Sequence, residues 1–339
     1  MPAYDRADAR AWARERLVGV SGVTIPSFTA DLTRLNPAGI AHDIERLVSL
    51  GYDYTLVMAE TSITVEENAE FTAIAREAAG ARLGLFFHAA FGTLEDNIRA
   101  AQLAERNGAD LALLSYPTQF WPTTEGEIYA YTRAFCDAVS MGVMLFPIPL
   151  WGFERVHPAG MSVQLVRKML DTIPNIAAIK SEQGYPLPPG ICEMYHHFRD
   201  EVVISHPIES QCLPLMSVMD LQFSGTSNTQ WMSDYYPDVF AKARNGQWEA
   251  AMERYWAVHP ARVANDAVTQ TYIGGTSVIN RTAWKYQDWL AGFNGGPLRS
   301  PASRIPDRHM KSLRAGLHAA GLPVTDAPDA EFMIGRNTC

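Results

Sequence analysis

Eight short apolar runs constrain this chain more than any other feature; they recur about every 30 residues, each followed by a polar loop and a helix-length amphipathic stretch. They are GVTIPSF (22–28), YTLVMAE (54–60), RLGLFFHAAF (82–91), DLALLSYP (110–117), GVMLFPIPL (142–150), NIAAIKSE (175–182), VVISHPI (202–208) and DLQFSGTSN (220–228). The segments between them carry helical periods, with Ile40, Ile44, Leu47 and Val48 in the first and Ile98, Ala101, Leu103 and Ala104 in the third. Glycines in SLGYD (49–53), RNGAD (106–110) and VSMGV (139–143) supply the left-handed conformation with which a helix ends before the next strand. Strand, helix, glycine, strand is the order of a βαβ unit. Near-continuous apolar strands are covered on both faces, so a parallel sheet is expected. Eight such units close into a barrel, whereas an open doubly wound sheet usually stops at about five or six strands and wants a glycine-rich first turn. Neither GxGxxG nor a Walker-type loop is present. The expected fold class is therefore α/β, a (β/α)8 TIM barrel with additional C-terminal helices.

After residue 230 the strand pattern stops. Helical periods run through 231–272 and 278–291, a Gly/Pro-rich turn NGGPLRSPASRIP (294–306) follows, and a last helix covers about 307–320. Because the Pro/Gly-rich break is short, these helices are read as packed on the barrel. Residues 1–230 form the barrel with a short N-terminal helix, 231–322 the C-terminal helices and 323–339 a tail. From Gly321 onward apolar periodicity is weak, as in a tail loosely held or pinned by a partner subunit.

Charge and composition narrow the partners. Lys and Arg number 28 against 37 Asp and Glu, a formal charge of −9, which argues against nucleic acid or an anionic membrane surface. With 47% hydrophobic and 19% charged residues the chain can build a large core and is unlike a disordered one. No window approaches the roughly 18 uninterrupted apolar residues of a membrane span. The opening MPAYDRADARAWARERL alternates charges where a signal peptide would be basic and then apolar, so a cytoplasmic protein is expected. Cys136, Cys192, Cys212 and Cys339 lie far apart, with no CxxC pair and no histidine at zinc-finger spacing, and read as reduced thiols.

Chemistry in such a barrel sits at the C-terminal ends of the strands. That rule selects Ser27, Glu60, Thr61, His88, Tyr116, Lys180, Glu182, His206, Glu209, Ser224, Thr226 and Asn228. Lys180 stands out because it closes the run Ile176-Ala177-Ala178-Ile179, which projects its ammonium into an apolar mouth. A desolvated lysine has a lowered pKa, and its neutral amine attacks a carbonyl to form a Schiff base that serves as electron sink. The plainer alternative is a lysine that ends the strand and snorkels to water.

NIAAIKSEQG, preceded by the DTIP turn, is similar to the sixth strand of the dihydrodipicolinate synthase / N-acetylneuraminate lyase family, where a Schiff-base lysine sits in an I-K-x-x-x-G setting. The resemblance extends over most of the chain, through IPSFTADLTRLNPAGIAHDIERLVSLGYD (25–53), TLEDNIRAAQLAERNGAD (93–110) and FSGTSNTQWM (223–232). It puts the family's lysine on Lys180. It also implies a lyase, aldolase or hydratase that condenses or releases pyruvate or another 2-oxo acid, needs no metal or organic cofactor, and assembles as a homotetramer or homodimer.

Two departures from the family pattern bear on the site. Where the family writes GTTGE and holds the pyruvate carboxylate, this chain has Ala59-Glu60-Thr61-Ser62, two residues shorter. Where the family has T-P-x-Y with a proton-relay tyrosine, the segment Tyr116-Pro117-Thr118-Gln119-Phe120-Trp121-Pro122 places Gln119 at the tyrosine position. Glutamine cannot donate and recover a proton near neutral pH. Tyr116 and His88 are therefore the preferred proton carriers, with Glu182, Glu60 and His206 behind them. Thr61 and Ser62 are candidates for the carboxylate, and Gln119, Glu182, His206 and Thr226 for other substrate contacts. Phe120, Trp121, Phe146, Trp151 and Phe153 suit a bulky or aromatic aldehyde half if they line the mouth. No arginine is evident at the strand ends, which argues against a strongly anionic distal group.

The leading expectation is a Schiff-base lyase acting on a small carbonyl substrate through Lys180. One rival is a metal-dependent isomerase or hydrolase using His88, His206, Glu60 and Glu182. Another is a non-catalytic relative that binds a carbonyl ligand, because this barrel hosts unrelated functions.

Overall fold

The computed structural model of the chain describes residues 2–182, 190–276, 279–302 and 304–338, with the side chains of 270–276 left aside. Gly184 of the I-K-x-x-x-G setting, residue 278 at the start of an expected helix, and Cys339 lie outside the described residues. A short helix α1 (Ala9–Arg16) leads into eight parallel strands. These are β1 (Gly19–Thr24), β2 (Tyr54–Val57), β3 (Gly84–Ala89), β4 (Leu111–Leu114), β5 (Gly142–Leu145), β6 (Ile176–Lys180), β7 (Val203–Ser205) and β8 (Phe223–Ser224). They pair in chain order and close where β1 meets β8, with Gly19 opposite Phe223. Helices α2 (Pro37–Ser49), α3 (Val65–Ala79), α4 (Leu94–Arg106), α5 (Glu125–Asp137), α6 (Val163–Thr172), α7 (Gly190–Phe198), α8 (Glu209–Met216) and α9 (Tyr235–Arg244) follow the strands in turn. Then come α10 (Trp248–Ala257), α11 (His259–Thr276), α12 (Arg281–Leu290) and α13 (Asp307–Ala319). The expected (β/α)8 barrel with C-terminal helices is what forms. Because α9 packs against β1 as the eighth helix of the ring, the β/α pattern runs past residue 230 to Arg244.

Local signals explain where helices begin. Asn36 accepts from Gly39 N at 3.0 Å with Pro37 at the first helical position, and Thr64 and Thr124 form capping boxes with Glu67 and Glu127. Gly51 (φ 82°) and Gly108 (φ 95°) take the expected left-handed conformation. Gly142 does not. It is the first residue of β5, where a Cβ would come 3.1 Å from that of Ala177, and its N–H donates to the Tyr4 hydroxyl at 2.8 Å. That glycine serves close packing, not a turn. The α4 period also differs from expectation, since Ile98 and Leu103 are half-buried while Asn97 and Glu105 are buried. Asn97 ties down Phe91 N (2.8 Å) and Glu105 accepts from Ser140 N (2.6 Å), so buried polar groups of α4 satisfy neighbouring loops.

Strand parity divides the apolar residues into two clusters. Leu56, Met58, Phe86, Leu111, Leu113, Met144, Ala178 and Phe223 fill the barrel, while Val57, Leu85, Phe87, Ala112, Leu114, Ile179 and Ile204 face the helices. The bottom of the barrel is sealed by α1, whose Ala9 and Ala13, with Leu17 just beyond its end, join the inner cluster. Arg10 reaches from α1 to the carbonyls of Ile176 (3.0 Å) and Ile173 (3.0 Å). The open end is the C-terminal one.

The tail makes specific contacts with its own chain, where a loosely held segment was one of the two expectations. Phe332 is fully buried against Tyr286 and Trp289 of α12, and its carbonyl accepts from Gly296 N at 2.7 Å. Arg336 bonds the carbonyls of Phe293 and Trp289, both at 3.0 Å, and Asn36 donates to the carbonyl of Asn337 at 2.6 Å. These polar contacts are invisible to apolar periodicity. No helix among the described residues is long and apolar enough to cross a membrane.

Candidate active site

A cavity of about 350 Å³ opens at the C-terminal mouth of the barrel. Parity decides which strand-end side chains enter it: Glu60 continues the inward row of Leu56 and Met58, His88 that of Phe86, and Lys180 and Glu182 that of Ala178. Val23, Leu56, Met58 and Leu113 line it from the barrel side, Phe146, Ile148, Leu150 and Trp151 after β5, and Thr226 and Ser227 after β8. Trp284 and Arg281 enter from α12. That helix is tied to the barrel rim by Lys285, which donates to the Pro26 carbonyl at 2.6 Å, and by Asp288, which accepts from Gln230 at 3.0 Å. Gln230 in turn donates to the Val23 carbonyl at 2.6 Å.

Lys180 is 4% exposed. Its Nζ donates to the Thr226 carbonyl at 2.8 Å, lies 3.5 Å from Glu182 Oε1 and sits 3.8 Å from the centroid of the Phe146 ring. Burial lowers its pKa from 10.5 to about 8, against the opposing pull of the Glu182 carboxylate. His88 Nε2 pairs with Ser115 Oγ at 3.0 Å, while its Nδ1 is buried with no partner among the described residues. Burial lowers its pKa to about 4, with Glu60 opposing, so the ring is neutral at pH 7. Burial alone would raise the Glu60 carboxyl, but its contact with the Arg281 guanidinium holds it down at about 2. Thr226 Oγ1 is also buried without a partner among the described residues.

Other expected residues are brought elsewhere. Tyr116 belongs to the outward row of Ala112 and Leu114; its hydroxyl meets Thr132 Oγ1 of α5 at 2.6 Å, and burial raises its pKa further. Thr61, outward like Val57 and Ala59, is buried outside the cavity lining, and Ser62 and Gln119 are exposed and also outside it. Gln119 donates to the Gly92 carbonyl. His206, two residues on from the outward Ile204, is held by Ser181 O and Gln211 Oε1, each at 3.0 Å. Of the aromatics, Phe146 and Trp151 line the cavity, Phe120 and Phe153 stack around Tyr116, and Trp121 is 72% exposed beneath Arg155. Of His88, His206, Glu60 and Glu182, His206 lies outside the cavity, and among the described residues no three His, Cys, Asp or Glu side chains are grouped as metal ligands.

Arg281 is the residue that the strand-end rule misses. It lies 221 positions beyond Glu60, on a helix after the barrel, so the mouth holds an arginine although no strand end supplies one. The only local signal is its place one residue after the helix-capping Asn280 in VINRTAW.

A desolvated lysine on the sixth strand, flanked by a carboxylate at the mouth of a closed barrel, belongs to enzymes of the aldolase type, lyases that make and break carbon–carbon bonds. The chain is a member of the dihydrodipicolinate synthetase family, whose model matches residues 23–318. It is 24% identical over 310 residues to 4-hydroxy-tetrahydrodipicolinate synthase of Lachnoclostridium phytofermentans, covering 89% of this chain and 98% of that one. Dihydrodipicolinate synthase from Aquifex aeolicus superposes with a TM-score of 0.74 at 19% identity, over 91% of this chain and 100% of that one. N-acetylneuraminate lyase from Fusobacterium nucleatum does so with a TM-score of 0.71 at 13% identity, over 89% and 98%.

Proposed function

We propose that the protein joins or separates a 2-oxo acid such as pyruvate and a bulky or aromatic aldehyde through an imine on Lys180. The observation that carries this reading is the buried Nζ in the cavity, with a pKa of about 8 that leaves about a tenth of it as free amine at pH 7. The amine attacks C2 of the oxo acid, the carbinolamine loses water, and the protonated imine draws electrons from the C3–C4 bond. That bond breaks, the aldehyde leaves and an enamine remains. Protonation at C3 and hydrolysis by one water then return the 2-oxo acid and free lysine; bond formation is the reverse.

Glu182, 3.5 Å from Nζ, takes the ammonium proton and gives it to the departing hydroxyl. His88 carries the proton of the aldehyde oxygen, a role supported by its neutral ring, its unpartnered Nδ1 and its place in the cavity lining. The wall of Phe146, Ile148, Trp151 and Trp284 favours an apolar aldehyde. In this reading the imine is the electron sink, so no metal or organic cofactor takes part, and the protein works in the cytoplasm as a homotetramer or homodimer.

Intact-mass analysis after borohydride reduction with a panel of 2-oxo acids tests the proposal. An adduct of the ligand's mass in wild type and none in Lys180→Ala is expected. Full turnover in Lys180→Ala would overturn it.

A further inference from the structure

We propose that Arg281 is the specificity-determining residue that receives the carboxylate of the oxo acid, with Glu60 and Trp284 as its positioning partners. The inference rests on the Schiff-base reading above. It starts from an electrostatic problem at the end of β2. The segment Ala59-Glu60-Thr61-Ser62 carries an anion into the cavity, while Thr61 and Ser62 lie outside the lining. An unneutralised Glu60 would repel a substrate carboxylate, and the protonated imine keeps only the single charge of Lys180, which Glu182 already faces at 3.5 Å, so an anionic substrate needs a second cation.

Arg281 meets that need. Its Nη2 contacts Glu60 Oε2, its guanidinium lies over the Trp284 ring with Cζ 4.3 Å from the centroid, and its side chain is 15% exposed. Nε and Nη1 have no hydrogen-bond partner among the described residues. A planar fork with one nitrogen anchored on Glu60 and one face covered by an indole keeps its remaining N–H groups in a set plane, the arrangement that binds a second carboxylate with little loss of side-chain freedom. Arg281 and Lys180 line the same cavity, and the guanidinium's charge helps to lower the lysine's pKa. A 2-oxo acid presents its carboxylate next to the carbonyl that Lys180 attacks. Arg281 thus separates oxo acids from uncharged ketones.

The test compares reductive trapping of pyruvate with that of hydroxyacetone, an uncharged ketone of similar size. In Arg281→Gln the pyruvate concentration for half-maximal trapping should rise about tenfold or more relative to that for hydroxyacetone, which shares any change in the lysine's own protonation, with Arg281→Lys intermediate. The double variant Glu60→Gln/Arg281→Gln separates recognition from simple unmasking of Glu60. Pyruvate trapping that stays weak supports the proposal; full recovery overturns it, as does an equal change for both ketones. Calorimetric binding of pyruvate to Lys180→Ala, with and without Arg281→Gln, reads the carboxylate contact without an imine. Affinity that depends on Arg281 there upholds the proposal even if wild type forms no adduct, whereas affinity indifferent to Arg281 overturns it.

Discussion

Lys180 Nζ donates to the backbone carbonyl of Thr226 at 2.8 Å, so the last side chain of β6 is oriented by the segment that follows β8, across the intervening β7. A neutral amine keeps this bond with one N–H and still presents its lone pair. The contact therefore aims the nucleophile without blocking it, and it makes the lysine's protonation state the main control on reactivity.

Burying that lysine has a cost that can be measured. Its pKa falls from 10.5 to about 8 on folding, so between those values the unfolded chain binds more protons and stability rises with pH. Below pH 8 the full penalty is present, on the order of 3 kcal/mol. Lys180→Met removes it and loses the Thr226 bond, worth about 1 kcal/mol. The variant should be inactive yet more stable than wild type by roughly 2 kcal/mol at pH 6, with the advantage gone above pH 10.5. Urea midpoints at the two pH values decide it; a variant less stable at pH 6 would show that Lys180 is not strained by burial.

The same titration sets the rate of imine formation. Trapping by cyanoborohydride at fixed pyruvate should rise about tenfold per pH unit below 8 and level off above it. Glu182 holds the lysine's pKa up, so Glu182→Gln should move the midpoint to lower pH. If Glu182 also passes the proton, the plateau falls as well. A midpoint that stays put in the variant would place the carboxylate's influence elsewhere.

Tyr116 and His88, both at strand ends, face opposite sides of the barrel wall. With its hydroxyl on Thr132, Tyr116→Phe should keep kcat within about threefold and lose about 1 kcal/mol of stability. His88→Gln should lower kcat by about 100-fold or more if the imidazole moves a proton. Steady-state kinetics on both variants give the answer, and a large loss in Tyr116→Phe alone would restore the tyrosine as relay.

The strands were legible because a closed parallel barrel buries both faces of each strand, and Lys180 was legible because it interrupts such a run. The choice among neighbouring polar residues was also legible in principle. Counting by two from the apolar core brings Glu60, His88, Lys180 and Glu182 inward and leaves Thr61, Tyr116 and His206 outward. The strand-end rule ignores that parity and weights both faces alike. Arg281 was out of reach because its approach to the mouth depends on tertiary bonds, Lys285 to Pro26 and Asp288 to Gln230, between residues 259 and 58 positions apart. The hold on the tail was illegible for a related reason: Phe332, the side chains of Arg336 and Asn36, and the Arg314–Asp329 pair secure it, with no repeating apolar face.

That tail connects stability to the site. Phe332 packs on Tyr286 and Trp289, with ring centroids at 5.3 and 6.0 Å, and both belong to the helix that carries Arg281 and Trp284 into the cavity. Phe332→Ala should cost about 3–5 kcal/mol through the lost transfer energy and the cavity left behind. We propose that the C-terminal helices unfold together with the barrel. The loss would then appear as a lower Tm in a single calorimetric transition, accompanied below that temperature by a raised KM for the oxo acid with kcat little changed, because α12 is the element loosened. Two separate transitions, the earlier one without effect on KM, would instead show that the tail and α12 are independent of the site.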